Sequence, residues 1–198
     1  MPKDKVVLIT GAGKGAGRAL AEALAKRGAV IAANDISPIN GEEVVKRINA
    51  GGGQARAYVE DIAKKVGAQT VVKDVEDDFG HIDILINHAA VEPHVSLLNM
   101  DEWDWHRTLD VNLTGAFLMI QSAGRVMRAK GHGVILNLVA GTGERSRKEA
   151  GAYLASKAGL VELSRQADAE LSPHGVRVLA VENSDDVVET ILSMLEEK

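Results

Sequence analysis

Short apolar runs alternate along this chain with longer stretches whose apolar residues recur at helical spacing. The first run, Val6-Val7-Leu8-Ile9, leads straight into Thr10-Gly11-Ala12-Gly13-Lys14-Gly15-Ala16-Gly17. An unbroken apolar run predicts a strand buried on both faces, as in a parallel sheet. Residues 18–27 predict a helix with Leu20 and Leu24 on one face, stopped at Gly28. The alternation continues with a strand over 29–33 that ends in Asn34-Asp35, a helix over 41–50, a strand over 54–59 and a helix over 64–79. A strand over 82–86 ends in Asn87-His88-Ala89-Ala90. A long helical region opens at Asp101 and carries Leu109, Val111, Leu113, Phe117, Leu118, Ile120 and Met127, with Asn112 inside it. A strand over 134–139, a helix opening at Tyr153 and a strand over 176–181 follow. Ser184-Asp185-Asp186 opens a last helix with Val187, Val188, Ile191, Leu192 and Leu195 as its apolar face. Strands that alternate with helices predict an α/β fold: a parallel sheet of about six strands, covered by helices on both faces in three layers.

The 198 residues fit one domain with a real core, and the 45% hydrophobic and 26% charged content is that of a globular protein. Aromatic residues make up only 3%, so Ala, Val, Leu and Ile must build the core. A net charge of −5 gives no reason to expect nucleic acid or an anionic membrane as a partner. With no cysteine there is no disulfide or thiol chemistry, which fits a reducing compartment, and the cytoplasm is expected. The first apolar run is too short for a signal peptide or a membrane span.

Chemistry enters at the glycine-rich turn. A strand, a glycine turn and a helix together make an anion site, because the helix start leaves backbone N–H groups unpaired and its dipole favours negative charge. The glycines do not follow the common G-x-G-x-x-G spacing; they give Thr10-Gly11-x-x-x-Gly15-x-Gly17. Glycine there lets a pyrophosphate reach the backbone. Asp35 follows Gly17 by 18 residues, near where an acid meets an adenosine ribose. A carboxylate accepts hydrogen bonds from ribose hydroxyls and repels a 2′-phosphate, which favours NAD. Lys14 pulls toward NADP, since a cation in the turn could pair with that phosphate. The bland reading of Asp35 is a turn residue or cap before Ile36-Ser37-Pro38. Asp35, Asp61 and Asn87 all fall at the carboxyl ends of predicted strands, where such sheets bind ligands. Tyr153 and Lys157 are four apart and share a helix face. A nearby ammonium favours phenolate, so such a tyrosine could give or take a proton at neutral pH.

Together these residues resemble the short-chain dehydrogenase/reductase family, of the shorter, classical type. The resemblance rests on Thr10-Gly11-x-x-x-Gly15-x-Gly17, on Asp61, and on Asn87-His88-Ala89-Ala90 where that family has N-N-A-G. Trp105 with Asn112, and Tyr153-x-x-x-Lys157 followed by Ala158-Gly159, complete it. It runs from about Lys5 to Val181 and implies a Rossmann-like doubly wound sheet and an NAD(P)-dependent oxidoreductase acting on a hydroxyl/carbonyl pair. It implies that Tyr153 is the acid/base, that Lys157 tunes it and binds the nicotinamide ribose, and that Asn112 holds a proton-relay water. Asp61 would meet the adenine ring and Asn87 would support the central strand. Thr10, Gly11, Gly15, Ala16, Gly17, Ile62 and Ala89 would complete the cofactor site with Lys14 and Asp35. No metal is implied. The family's dimer helices, around 115–130 and 152–171, are present, so a homodimer is expected rather than a tetramer.

Two departures stand out. The family places a substrate-holding serine thirteen residues before the tyrosine, and here that residue is Ala140. Loss of such a donor typically costs ~10²–10³ in rate. Thr142 and Ser146 are the nearby hydroxyls that a differently folded loop could bring in. After Val181 the family's Pro-Gly turn, substrate-covering segment and seventh strand are absent. The whole of 1–198 is therefore expected to be one dinucleotide-binding domain without its lid, weakly active. The alternative is a catalytically silent nucleotide-binding or scaffold protein.

Overall fold

The computed structural model describes residues 3–141 and 147–196, so Thr142 and Ser146 lie outside the described residues. Six strands, Val6–Thr10 (β1), Val30–Asp35 (β2), Gln54–Val59 (β3), Ile84–Asn87 (β4), Gly133–Ala140 (β5) and Val176–Asn183 (β6), form one sheet. Its order is β3-β2-β1-β4-β5-β6 and every pairing is parallel. Among the described residues seven α-helices accompany it: Gly15–Lys26 (α1), Pro38–Ala50 (α2), Lys65–Phe79 (α3), Glu102–Leu109 (α4), Ala116–Lys130 (α5), Gly151–Leu171 (α6) and Val187–Glu196 (α7).

Successive strand residues point to opposite faces. Val7, Ile9, Ile31, Ile86 and Leu136 bury against Leu20 and Leu24 of α1, Val44 and Ile48 of α2, and Ile191 and Leu192 of α7. Val6, Leu8, Leu85 and Ile135 bury on the other side against Val71 and Val75 of α3 and Met119 and Met127 of α5. Both faces are covered, which is why the central strands read as continuous apolar runs rather than as alternation. No described helix is long and apolar enough to cross a membrane.

Four details differ from the sequence expectations. The long helical region is not one helix: a π-helical segment, Asp110–Gly115, separates α4 from α5. Asn112 sits in it and spends its carboxamide on another segment. Its Oδ1 accepts from the Val91 N–H at 2.8 Å, and its Nδ2 donates to the Val91 carbonyl at 2.9 Å and to Ser156 Oγ at 3.0 Å. A π turn carries the extra residue that lets one side chain reach out in this way. Second, α2 starts at Pro38 rather than at residue 41, because Ser37 Oγ caps it by accepting from the Asn40 N–H and Pro38 occupies the first turn. Third, β4 starts at Ile84 rather than at residue 82, with the Asp83 carboxylate accepting from the Val6 N–H at 2.9 Å instead. Fourth, β5 and β6 run on to Ala140 and Asn183, which pair with each other.

Candidate active site

The strand order reverses between β1 and β4, and their last paired residues are Thr10 and Asn87. Ligands of open α/β sheets bind at such a reversal. Thr10 Oγ1 ties the two strand ends together by accepting from the N–H groups of His88 (3.1 Å) and Ala89 (3.2 Å). The glycine turn leaves β1 at this point and delivers the N-terminus of α1. Ser37 caps α2 and Asp101 caps α4, but Lys14 at the N-cap of α1 makes no side-chain cap, and the first turn holds no acid. Lys14 and Gly15 are exposed and Ala16 is half-buried.

The glycines do different work. Gly15 has φ +54°, and a Cβ built there would meet nothing within 4 Å. Gly17 is the reverse: a Cβ would lie 2.4 Å from the Gly11 carbonyl oxygen and 2.6 Å from His88 Nδ1. Gly15 therefore keeps open the space over the helix start, and Gly17 lets α1 dock. Arg18 closes the turn from within, its Nε and Nη2 donating to the Gly13 carbonyl at 2.8 and 2.6 Å. An open cradle over uncapped amides fits a pyrophosphate.

Asp35 is the last residue of β2 and is buried beside this turn. Its Oδ2 accepts from the Gly13 N–H at 3.0 Å and its Oδ1 from the Ser37 N–H at 2.9 Å. It thus serves as a turn residue, and its charge also lies against the glycine turn. Asp61 lies just beyond β3, and its Oδ1 accepts from the Ala63 N–H. Ile62 is buried, and its side chain packs at Gly115, where a Cβ would lie 2.5 Å from Ile62 Cδ1. Its side chain is therefore used inside the protein, and toward a cofactor only its backbone could act. Asn87 Nδ2 donates to Asn137 Oδ1 at 2.8 Å, and Asn137 Nδ2 donates to Ser164 Oγ at 2.8 Å. This brace joins β4, β5 and α6.

Tyr153 and Lys157 lie on the buried face of α6, 6% and 3% exposed. Lys157 Nζ is 5.8 Å from the centre of the Tyr153 ring and donates to the Leu138 carbonyl at 2.7 Å. Ser156 Oγ donates to the Tyr153 carbonyl at 2.6 Å and accepts from Asn112. One connected group thus holds Asn112, Ser156, Tyr153 and Lys157. The Asn112 carboxamide is taken up by Val91 and Ser156, so it clamps the segment that follows His88. Ala140 ends β5 without a hydroxyl. Across the mouth, Arg147 pairs with Glu92 at 2.6 Å and the Val95 N–H donates to the Glu149 carbonyl.

Sequence reasoning missed Asn137, Ser156, Ser164 and the packing of His88. A lone Asn in the apolar run Val134–Val139 was the visible signal for the first. Nothing in the spacing pointed to the serines, which an α-helix uses freely. No cluster of three metal-ligating side chains exists among the described residues.

The geometry defines a nucleotide-binding α/β protein with a tyrosine–lysine pair at the reversal point of its sheet. The family model described as short chain dehydrogenase matches residues 5–190, and the chain belongs to that family. It is accordingly an NAD(P)-dependent oxidoreductase of the short-chain type. Among its relatives, an uncharacterized oxidoreductase of Thermotoga maritima is 40% identical over 179 residues, covering 90% of this chain and 70% of that protein. The D-threitol dehydrogenase of Mycolicibacterium smegmatis is 37% identical over 174 residues, covering 88% and 67%. Among solved structures, an NAD+-bound xylitol dehydrogenase superposes with a TM-score of 0.87 at 30% identity, covering 98% of this chain and 76% of that one. A metagenomic short-chain oxidoreductase in complex with NADP superposes with a TM-score of 0.93 at 27% identity, covering 99% and 92%.

Proposed function

We propose that this chain is an NAD-preferring dehydrogenase/reductase of slow turnover, acting on a hydroxyl/carbonyl pair of a small polyol or related substrate. The observation that carries the reading is the placement of the buried Tyr153–Lys157 pair at the same strand ends as the open cradle at Gly15. Thr10, Gly11, Gly15, Ala16 and Gly17 would hold the pyrophosphate, Asp35 the adenosine ribose, and Asp61 with the Ile62 backbone the adenine. Asn87 and Ala89 would flank the cofactor at the central strand. The bound nicotinamide supplies the hydride chemistry. Tyr153 holds and moves the proton at its phenol oxygen, Lys157 stabilises the phenolate that results, and Asn112 fixes the wall opposite. The charge of Asp35 beside the turn supports NAD over NADP, whereas the exposed Lys14 is what favours NADP. The names of the D-threitol and xylitol relatives support a polyol.

Ala140 supports slow turnover, because its side chain carries no hydroxyl where the family places the serine. The same residue favours the second reading, a nucleotide-binding protein that performs no hydride transfer. Residues 1–198 are read as a single dinucleotide-binding domain. A groove of about 260 Å³ between α5 and α6, lined by Phe117, Ile120, Leu163 and Leu171 together with Arg125 and Glu170, supports a homodimer through these helices. The absence of cysteine supports a cytoplasmic location.

Titration with NAD and NADP, followed by turnover on a polyol and carbonyl panel that includes D-threitol and xylitol, tests the reading. Tighter binding of NAD with measurable reduction is the expected result. Binding without any turnover, unchanged by Ala140→Ser, selects the silent reading. Binding of neither nucleotide overturns both.

A further inference from the structure

We infer that His88 is a positioning residue that pins the phosphate-binding turn to β4 by donating its Nδ1–H to the Gly11 carbonyl. This inference rests on the cofactor reading above and goes beyond it, because it gives a role to a residue that departs from the family's N-N-A-G pattern.

The imidazole lies under the turn. Its Nδ1 is 3.2 Å from the Gly11 carbonyl oxygen, which can only accept, so Nδ1 carries the proton. The backbone N–H of the same residue donates to Thr10 Oγ1 at 3.1 Å, which fixes where the side chain starts. The ring also fills the space that two missing methyl groups leave. A Cβ at Gly11 would lie 3.0 Å from Nδ1, and one at Gly17 would lie 2.6 Å from Nδ1 and 3.0 Å from Cε1. The start of β1's turn and the first turn of α1 therefore both rest on this ring. Burial, then the charge of Lys157, hold the His88 pKa below the ordinary histidine value, with Gly11, Thr10 and Asp35 opposing. The neutral ring with one fixed tautomer follows.

Asparagine is the informative substitution. Its carboxamide branches from Cγ as the ring does, so Nδ2 can take the place of Nδ1 and keep the bond to Gly11. Leucine keeps the bulk and loses the donor. Aspartate keeps the branching but turns an acceptor toward the carbonyl, leaving two acceptors face to face.

The experiment measures NAD affinity by calorimetry, and amide hydrogen exchange over residues 11–17 in the cofactor-free protein, for wild type, H88N, H88L and H88D. Loss of one buried hydrogen bond predicts NAD binding weaker by about tenfold in H88L, and by more in H88D, with H88N within about threefold of wild type. Exchange over 11–17 should quicken by about the same factor in H88L and H88D, while β5 stays protected. Wild-type affinity and wild-type exchange in H88L would overturn the inference, reducing His88 to a space filler. So would failure of H88N to rescue both readouts. If H88L does not fold, H88D against H88N carries the same contrast. If wild type binds no nucleotide yet the exchange order holds, the cofactor reading falls and the pin stands.

Discussion

Alanine at Gly15 should cost little stability and much cofactor affinity, whereas alanine at Gly17 should cost mainly stability. At Gly15 the added methyl meets nothing within 4 Å, so the only folded-state cost is the backbone at φ +54°. An alanine in the left-handed region costs about 1–2 kcal/mol, and the stiffer unfolded chain returns about 0.4–1 kcal/mol of it. The net loss is roughly 1 kcal/mol, a fall in Tm of about 2–4 °C for a domain of this size. The same methyl stands in the cradle over the uncapped amides of α1. Excluding an anion from even one charged hydrogen bond there costs about 1.5–3 kcal/mol, which weakens NAD roughly 10- to 150-fold. At Gly17 the methyl would lie 2.4 Å from the Gly11 carbonyl oxygen, which is backbone and cannot swing aside. The turn or α1 must move, an overpacking cost of about 3 kcal/mol and a Tm lower by roughly 6–12 °C. Differential scanning calorimetry and NAD titration of both variants separate the two effects. An unchanged NAD affinity in Gly15→Ala, or a Tm loss there equal to that of Gly17→Ala, would refute the assignment of Gly15 as the cradle and Gly17 as the packing glycine.

Ala140→Ser should raise turnover by about 10- to 100-fold at unchanged NAD affinity, since it restores a hydroxyl where a substrate oxygen would need a donor; steady-state kinetics check this. Asp35→Ala should weaken NAD more than NADP, and should also quicken hydrogen exchange at Gly13, because that N–H donates to the carboxylate; a clean switch to NADP with the turn intact would contradict the double role. Asp83 gives the pH prediction. Burial pushes its carboxyl up, but the Val6 N–H, Lys5 and His81 together outweigh this and hold it below the ordinary carboxylate value. A lowered folded pKa gives stability that is present above the unfolded value of about 4 and lost as the pH falls through the folded one. Asp83→Asn should therefore cost about 1–3 kcal/mol at neutral pH and flatten the acid limb of a urea-melt pH series.

Much of this was legible in the chain because the fold writes itself in runs. The strand at 54–59 and the inward valines of 71, 72 and 75 needed only periodicity. The ends of elements were harder, because they depend on partners far away in sequence. Nothing local marks a π turn at Asn112; its cause is Val91, 21 residues earlier. Nothing local starts β4 at Ile84; the cause is that the Asp83 carboxylate has taken the Val6 N–H. The site divides the same way. The glycine turn and the Tyr153–Lys157 pair are short-range patterns, whereas the ring of His88 beneath Gly17 is a contact across the sheet's reversal.

The crevice is held by a change in the kind of interaction at the last full row of the sheet. Up to Ile9, Ala33, Ile86 and Leu136 the strands are fixed by apolar packing, which is strong but not directional. In the next row the four central strands carry Asn34, Thr10, Asn87 and Asn137, all polar and each at least 96% buried. Each side chain there bonds to what lies beyond its own strand. Asn34 Nδ2 donates to the carbonyls of Tyr58 and Glu60, Thr10 takes the N–H groups of His88 and Ala89, and Asn87 reaches through Asn137 to Ser164 of α6. Burying this row costs free energy unless its groups are satisfied, and Asn87 Oδ1 has no protein partner among the described residues. Stability alone would favour another apolar row. What the polar row gives instead is direction: the loop after β3, the loop after β4 and the helix carrying Tyr153 are each fixed to the sheet by hydrogen bonds of defined angle. In the proposed site, groups from three separate segments would meet one dinucleotide, and dispersion forces would let them slide. The position of this row at the strand ends is therefore a physical reason for the proposed site to lie there and not at the opposite edge, where the central strands begin in the apolar Val6, Val30 and Ile84.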